Sequence, residues 1–296
     1  MNMELPQTID LHMHSTVSDG TDSPAELLDC VREAGLGLFA LTDHDAVKGC
    51  RSIRALLREG DPSFLCGVEF SCRDTGGKYH ILGYGFDPDA QPILALAETM
   101  HALRLKKVRA RLDTLERQFG FSFPEEELRE LFARNNPGKP HIANLMVRFG
   151  YAESRDQAFR DYLNRLHMRS EYLRPEQVVP AILASGGIPV LAHPSYGDGD
   201  QLILGEEMDA RLRRLMDFGL RGVEAFYSGF TPRLIREMLS FAERYGLYVT
   251  AGSDYHGTNK PVAPGQTGLA ADAVPPDSLL RFLARVGVSP ELAFEV

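Results

Sequence analysis

The stretch that decides the fold is Thr8-Ile-Asp-Leu-His12-Met-His14-Ser-Thr-Val-Ser-Asp19-Gly20. Its first part, from Thr8 to Leu11, is rich in apolar residues and is predicted to form a strand. Because alternate residues of an extended chain point the same way, His12 and His14 can reach one point. Imidazole is the commonest side-chain ligand of transition-type metals, and Asp19 adds a carboxylate on a turn. The stretch therefore predicts a metal site at the end of a first strand.

An alternation of strands and helices continues beyond this opening pattern. Further strands are predicted at residues 38–42, 64–70, 78–84, 188–192, 222–226 and 247–251, and helices at 23–35, 46–59, 176–185, 206–218 and 232–245. Strands that are apolar throughout are typical of a parallel sheet covered by helices. The length of 296 residues suits one α/β barrel or a barrel that carries an inserted subdomain.

The alternation stops between residues 91 and 177, where only helical periodicity is visible. A long basic helix is predicted around 101–119, with shorter helices at 124–134, 141–149 and 154–166. The segment Asn135-Asn-Pro137-Gly138 is a loop between two of them. We interpret residues 91–177 as an inserted all-helical subdomain, and residues 1–90 and 178–296 as the two parts of a discontinuous barrel.

Composition and charge exclude several classes of function. The net charge of -9 argues against a surface that binds long nucleic acid, although bound metal cations would still allow a small phosphorylated ligand. The four cysteines form no Cys-x-x-Cys pair, which indicates reduced thiols. The N-terminal residues lack a signal-peptide pattern, and no apolar run is long enough for a membrane span. We therefore expect a cytoplasmic protein with no membrane partner.

Metal-donor side chains recur at or near the predicted strand ends, where α/β barrels carry their functional residues. They are His12, His14, Asp19, His44, Glu69, His80, His193, Asp254 and His256. Each has a structural alternative when taken alone; His80, for example, could be a hydrogen-bonded sheet histidine. Six of the nine histidines of the chain fall at these positions, however, and this joint pattern predicts a metal cluster.

The donor types indicate which chemistry the cluster serves. Imidazole and carboxylate without thiolate suit zinc, manganese or iron, and not a structural zinc finger. Nine donors are too many for one ion and would serve two or three divalent ions. Such a cluster is typical of the hydrolysis of a phosphate ester.

The order of these motifs resembles that of the PHP (polymerase and histidinol phosphatase) family. The motifs that carry the resemblance are His12-x-His14, Asp19-Gly20, Thr42-Asp43-His44, Gly67-Val-Glu69, His80, Ala192-His193-Pro194 and Gly252-Ser253-Asp254-Tyr255-His256. The resemblance implies a distorted (β/α)7 barrel with a trinuclear metal centre. It also implies one ion at His12, His14, Glu69 and Asp254, a second at Glu69, His80 and His193, and a third at Asp19, His44 and His256. Asp19 stands where some members of the family have histidine.

The predicted helical insertion resembles the cap of one branch of this family. That branch includes nucleoside 3′,5′-bisphosphate phosphatases and 5′-to-3′ exoribonucleases that act on short RNA. The resemblance implies substrate contacts from Lys139 and His141, in the segment Gly138-Lys-Pro-His141. Related caps often carry arginine where this chain has Lys139, and a lysine meets phosphate as a point charge and not as a planar fork. His141 could instead be a helix-start residue packed inside the insertion.

The function predicted from the sequence is metal-dependent hydrolysis of a nucleotide phosphate ester by a hydroxide that bridges two ions. His193, His256 or Asp19 would protonate the leaving oxygen. A histidinol-phosphate phosphatase is the alternative enzyme, and a non-catalytic PHP module that partners a polymerase is the alternative from another class. We expect the basic residues of the long helix, Arg104, Lys106, Lys107, Arg109 and Arg111, to form a solvated helix face.

Overall fold

The computed structural model describes residues 8–166, 171–197, 201–270 and 273–288. The strands are β1 (Thr8–Asp10), β2 (Leu36–Leu41), β3 (Ser63–Asp74), β4 (Gly77–Tyr84), β5 (Ile188–Leu191), β6 (Gly222–Tyr227) and β7 (Tyr248–Gly252). The α-helices are α1 (Pro24–Glu33), α2 (Lys48–Leu56), α3 (Gln91–Phe119), α4 (Glu125–Ala133), α5 (Lys139–Arg148), α6 (Arg155–Gln157), α7 (Pro175–Ala184), α8 (Gly205–Asp217), α9 (Pro232–Tyr245) and α10 (Asp277–Arg285). A π-helical turn at Ala158–Leu163 follows α6 directly.

The seven strands form one sheet in which the order of the strands follows the chain from β1 to β7. The two ends of the sheet meet, because the Leu11 N–H donates to the Ala251 carbonyl (2.9 Å) and the Asp254 N–H donates to the His12 carbonyl (2.7 Å). The first bond joins the residue after β1 to a residue within β7, and the second lies just beyond the ends of both strands. The protein is therefore a mixed α/β fold with a nearly closed seven-strand barrel, and the predicted α/β barrel is confirmed, whereas the inserted cap subdomain stays a prediction.

One strand runs against the predicted direction. β4 pairs antiparallel with both β3 and β5, whereas all the other neighbours are parallel. The prediction of a parallel sheet was wrong here, because only Thr75 and Gly76 separate β3 from β4. A link this short permits a hairpin and no crossover. As a consequence, the beginning of β4 and not its end lies near the rim, and His80 lies opposite Ser71 of β3.

Three hydrophobic cores are found among the described residues, and two of them bear on how the chain is divided. The larger one fills the barrel and its helical coat, and it includes Ile93 and Met100 from the first turns of α3. The second core is built from the later part of α3, from α4 and α5, and from the π-helical turn, with Val108 and Ile142 among its buried members. Residues 91–163, called the helical segment below, are thus joined to the barrel through α3. The domain boundaries predicted from the sequence stay predictions.

Two further features bear on the predictions from sequence. α10 was not predicted, although Leu279, Phe282 and Leu283 are buried in the larger core. Within the described ranges, no helix combines the length and the apolar character that a membrane crossing would require.

Candidate metal centre

The nine donor side chains predicted from the sequence all lie at one rim of the barrel. His12 and His14 follow β1, His44 follows β2, and Glu69 lies within β3. His12, His14 and Glu69 are almost fully buried, whereas the other six keep between 14% and 20% of their side-chain surface exposed. The donor cluster therefore has a buried part, formed by these three residues, and a part that is accessible to solvent.

The donor atoms fall into three compact groups whose members lie within 4.8 Å of one another. The groups are His12, His14, Glu69 and Asp254; His14, Asp19, His44 and His256; and His44, Glu69 and His80. His193 lies outside these groups, but its Nε2 is 3.1 Å from Glu69 Oε1. The grouping is close to the ion assignments implied by the family resemblance.

Glu69 is the hub of the centre. Its Oε2 lies 3.3 Å from His12 Nε2, 3.3 Å from His14 Nε2 and 3.0 Å from His44 Nδ1. Its Oε1 lies 2.8 Å from His80 Nδ1 and 3.1 Å from His193 Nε2. A single carboxylate thus meets five imidazoles, as a ligand that bridges ions would.

The charges of the carboxylates suit metal binding. Burial by itself raises the pKa of Glu69, but the imidazoles of His44, His80 and His12 outweigh it and hold that pKa well below its usual range. Burial likewise raises the pKa of Asp254 and of Asp19, but nearby imidazoles lower both pKa values below the usual range. The largest of these lowering effects comes from His12 for Asp254 and from His44 for Asp19. The three carboxylates are therefore ionised at neutral pH. Burial lowers the pKa of His12, but Glu224, Glu69 and Asp254 together raise it well above its ordinary value, so an ion binding there displaces a proton.

Unpartnered donor atoms test whether this set fits metal ions. Within the described part of the chain, His12 Nε2, His14 Nε2, Asp19 Oδ1 and His44 Nδ1 are buried without a hydrogen-bond partner. Buried polar atoms usually have a partner. Two atoms that ligate one ion at about 2.1 Å each are separated by roughly 3.0–3.4 Å, which is the spacing found around Glu69. The donor set therefore fits divalent ions of the zinc, manganese or iron type.

A shell of supporting residues, which the sequence reasoning missed, orients several imidazoles. His12 Nδ1 lies 2.9 Å from the buried Glu224, and His256 Nδ1 lies 2.9 Å from the Asp254 carbonyl. His14 Nδ1 is 3.4 Å from Ser18 Oγ, which donates to the buried Asp43 at 2.8 Å. Partners of this kind fix which ring nitrogen faces the metal.

A cationic cleft opens directly from the donor cluster. It is lined at one end by Asp19, His44 and His80, and farther out by side chains of α3 and α5 and by Tyr172. Its cations are Lys78, Arg104, Lys107, Arg111 and Lys139. Arg104, Lys107 and Arg111 repeat at helical spacing, so they share one face of α3. The prediction that the basic residues of this helix form a solvated face was therefore wrong for these three.

The two remaining basic residues of that prediction do not line the cleft. Lys106 is largely exposed and pairs with Glu171 at 2.5 Å, and the Arg109 guanidinium lies 5.0 Å from the centre of the Phe132 ring. The prediction failed for the other three because a basic helix looks alike in sequence whether its charged face meets solvent or a cleft.

The two substrate residues implied by the resemblance have different surroundings. Lys139, at the start of α5, lines the cleft, and its Nζ donates to Asn164 at 2.8 Å. The His141 Nδ1 accepts the Gly138 N–H at 3.2 Å and so caps the start of α5. His141 faces a separate pocket between α4 and α5, and burial lowers its pKa to about 4. A substrate contact from His141 stays a prediction.

Comparison with known proteins agrees with this geometry. Residues 10–218 match the family model described as the PHP domain. The chain is 32% identical to a 3′,5′-nucleoside bisphosphate phosphatase of Chromobacterium violaceum, over 88% of this chain and 89% of the relative. It is 30% identical to a 5′-3′ exoribonuclease of Haemophilus influenzae, over 83% and 89% of the two chains. It is also 30% identical to a phosphoribosyl 1,2-cyclic phosphate 1,2-diphosphodiesterase of Eggerthella lenta, over 84% and 94%.

Two solved structures superpose on most of the chain. A protein of Bifidobacterium adolescentis, described as a candidate metal-dependent phosphoesterase, superposes with a TM-score of 0.80 at 29% identity, over 95% of this chain and 98% of that one. A protein of Chromobacterium violaceum described as an amidohydrolase with bound sulfate superposes with a TM-score of 0.76 at 30% identity, over 86% and 90%. The chain therefore belongs to the PHP domain family.

Proposed function

We propose that this metal-dependent phosphoesterase acts on a nucleotide, and that its substrate is a nucleoside 3′,5′-bisphosphate or a short 5′-phosphorylated oligonucleotide. The observation that carries the proposal is the row of cations that begins beside the donor cluster and extends along α3. A substrate with one phosphate at the centre and a second negative group in the cleft would use both features. The names of the bisphosphate phosphatase and exoribonuclease relatives support the same substrate class.

The centre would hold two to three divalent ions of manganese, zinc or iron. His12, His14, Glu69 and Asp254 would hold one ion, Glu69 with His80 and His193 a second, and Asp19 with His44 and His256 a third. When bound, these ions activate a water molecule for attack and neutralise charge on the phosphate oxygens. The side chains of this chain would fix the positions of the ions and donate a proton to the leaving oxygen.

Burial and mutual repulsion destabilise the charged forms of several cleft side chains, and an anionic ligand would offset this destabilisation. Burial, together with the positive charges of Arg111 and Arg104, lowers the pKa of Lys107 to about 7. Burial and Arg111 also lower the pKa of Lys139 to about 8, and burial lowers that of Arg111 to about 10. These shifts mean that the cleft disfavours its own positive charges. A phosphate between them would reverse the penalty, which favours ligands with a second phosphate.

We propose that the helical segment acts as a cap over the centre. It supplies the α3 and α5 side chains of the cleft and also contacts the donor loops. Arg104 donates to Asp45 with its Nε at 2.6 Å, and the Asn136 amide donates to the His44 carbonyl. Arg155 donates to Asn259, whose own amide donates to the Asp19 carbonyl at 2.8 Å. A cap attached in this way would let ligand contacts far from the ions influence hydrolysis.

A substrate panel tests the proposal. We expect a nucleoside 3′,5′-bisphosphate or a 5′-phosphorylated dinucleotide to be cleaved with far higher kcat/KM than p-nitrophenyl phosphate or histidinol phosphate, because only the former can use the cleft. Lys139→Ala should remove roughly 1.5–3 kcal/mol of binding, or about tenfold to a hundredfold in kcat/KM, for the nucleotides only. Phosphate release measured with manganese gives the comparison.

Lys106→Ala is the matched control, because Lys106 is a largely exposed lysine of α3 that is not among the residues lining the cleft. It should leave the preference unchanged. Equal efficiencies across the panel would contradict the nucleotide proposal, and a clear lead for histidinol phosphate would favour the histidinol-phosphate phosphatase.

The pH dependence gives a second prediction. Lys107 and Lys139, with pKa values of about 7 and about 8, are charged below these values and lose charge as the pH rises through them. Since kcat/KM reports the free enzyme, the ratio of kcat/KM for the bisphosphate to that for the matching monophosphate should fall by about tenfold between pH 7 and 9. The ratio cancels titrations at the metal centre, which both substrates share. Lys107→Met should lower the ratio at pH 7 and flatten its profile, whereas Lys106→Met should not.

A further inference from the structure

A fully buried carboxylate lies directly behind the donor cluster. Glu224, in the middle of β6, has no exposed surface. Its Oε2 accepts the backbone N–H of His193 at 2.7 Å, and its Oε1 lies 2.9 Å from His12 Nδ1. Glu224 therefore contacts two candidate ligands without facing the centre itself.

The protons on these contacts can be assigned from chemistry. A backbone N–H can only donate, so Oε2 must accept from His193. An ionised carboxylate has no donor, so Oε1 must accept a proton carried by His12 Nδ1. The other ring nitrogen, Nε2, is then the one whose proton a metal ion displaces. That atom is the one that faces Glu69 Oε2 at 3.3 Å and Asp254 Oδ1 at 3.5 Å.

A glycine allows this pair to pack as closely as it does. A β-carbon on Gly252, at the end of β7, would lie 2.2 Å from the His12 β-carbon and 2.4 Å from Glu224 Oε1. No side chain could occupy that space without moving the ring or the carboxylate. The contact between His12 and Glu224 is thus supported by the neighbouring strand as well as by its own hydrogen bond.

We infer that Glu224 is a positioning residue that holds the Nδ1 proton of His12 and so presents Nε2 to a divalent ion. The inference rests on the proposed metal centre and adds a role for a residue outside the donor set. Glu224 contacts neither the substrate nor the reacting atoms in this role. It affects the metal ion through the His12 ring, and it also accepts the backbone N–H of His193.

Glu224→Gln tests the inference with almost no change in shape. The amide oxygen of glutamine has to face the His193 N–H, because the opposite orientation places two donors against each other. The amide NH2 then faces His12 Nδ1, which can accept only if the ring proton moves to Nε2. The ring would then present a proton, and not a lone pair, to the ion. We expect Zn²⁺ affinity, measured by competition with a chromophoric chelator, to fall by about 10- to 100-fold for one ion. Thermal unfolding of the metal-free protein should change little.

Asp10→Asn is the matched control for loss of a buried charge. Asp10 is also fully buried, but it contacts no candidate ligand ring: it accepts the backbone N–H groups of His12 (3.2 Å), Ser253 (3.0 Å) and Gly265 (2.8 Å). Its replacement should lower the temperature of unfolding more than it lowers Zn²⁺ affinity. An equal loss of affinity in the two variants, or wild-type affinity in Glu224→Gln, would overturn the inference.

A measurement on the wild-type protein tests which nitrogen of His12 binds the ion, even if the variant fails to fold. In ¹⁵N-histidine-labelled protein loaded with Zn²⁺, His12 should carry its proton on Nδ1 and bind the ion through Nε2. Coordination through Nδ1 would overturn the inference. Wild-type protein that binds no Zn²⁺ would instead refute the metal centre itself, so the two failures are distinguishable.

Discussion

Replacing Glu69 with glutamine is expected to remove bound metal and hydrolytic activity together. Its two oxygens meet five imidazoles at 2.8–3.3 Å, so the substitution takes one negative charge away from every group that shares this carboxylate. The new amide also presents donors where lone pairs are needed. We expect kcat/KM to fall on the order of 10³-fold, at least as much as the loss of one electrostatic stabiliser in other enzymes. Metal content, measured by elemental analysis, should fall from two to three ions per chain to one or none.

Glu98→Gln is the control for this experiment, because Glu98 is an exposed carboxylate on α3. It should keep both metal and activity. Full activity of Glu69→Gln with two ions still bound would show that Glu69 does not bridge them. Less than one ion per chain in wild-type protein that never met a chelator would refute the metal cluster.

The positions of most donors just after apolar strands explain why the rim could be predicted from sequence. A donor that follows an apolar strand is displayed at the rim of a barrel by the strand geometry itself. His12, His44 and Asp254 satisfy this rule, and the structure brings them to one place. The number of strands could be predicted for the same reason, since buried strands read as apolar runs.

The direction of β4 could also have been predicted, but from a different signal. The sequence Asp74-Thr-Gly-Gly77 is a hairpin link between two apolar runs, and Gly77 has the positive φ of 122° that such a turn can require. The alternation of strands and helices along the rest of the chain obscured this local signal. The antiparallel direction matters for the site, because it brings His80 to the rim from the beginning of its strand.

The supporting residues could not be predicted from one sequence. Glu224 lies within an apolar strand, and whether such a carboxylate faces a histidine depends on strands far away in the chain. The same holds for Arg104 and Lys107, whose role depends on how α3 lies over the barrel. Helical spacing shows that they share a face, but the surroundings of that face are set by tertiary packing.

Among the three candidates for the proton donor, we propose His193. Asp19 and His256 lie 3.3 Å apart within one compact donor group, whereas His193 lies outside all three groups. Its side chain keeps 17% of its surface exposed, compared with 20% for Asp19 and 14% for His256. Its backbone φ of 27° is unusual for a residue with a side chain, and backbone strain of this kind is often found at functional sites.

His193→Asn should therefore affect substrates according to their leaving groups. Asparagine tolerates positive φ better than most residues, so the loop should be kept. The alkoxide of a ribose needs a proton as it leaves, and loss of the donor should lower kcat/KM for a nucleotide by about 10²- to 10⁴-fold. p-Nitrophenolate leaves without a proton, so hydrolysis of p-nitrophenyl phosphate should fall only as far as the loss of one ligand of the second ion lowers it, and therefore by less than nucleotide hydrolysis. His101→Asn, a change to a histidine of α3 outside the nine predicted donors, should alter neither rate. An equal fall for both substrates together with loss of a metal ion would mean that His193 acts as a ligand alone, and the proton would then have to come from Asp19 or His256.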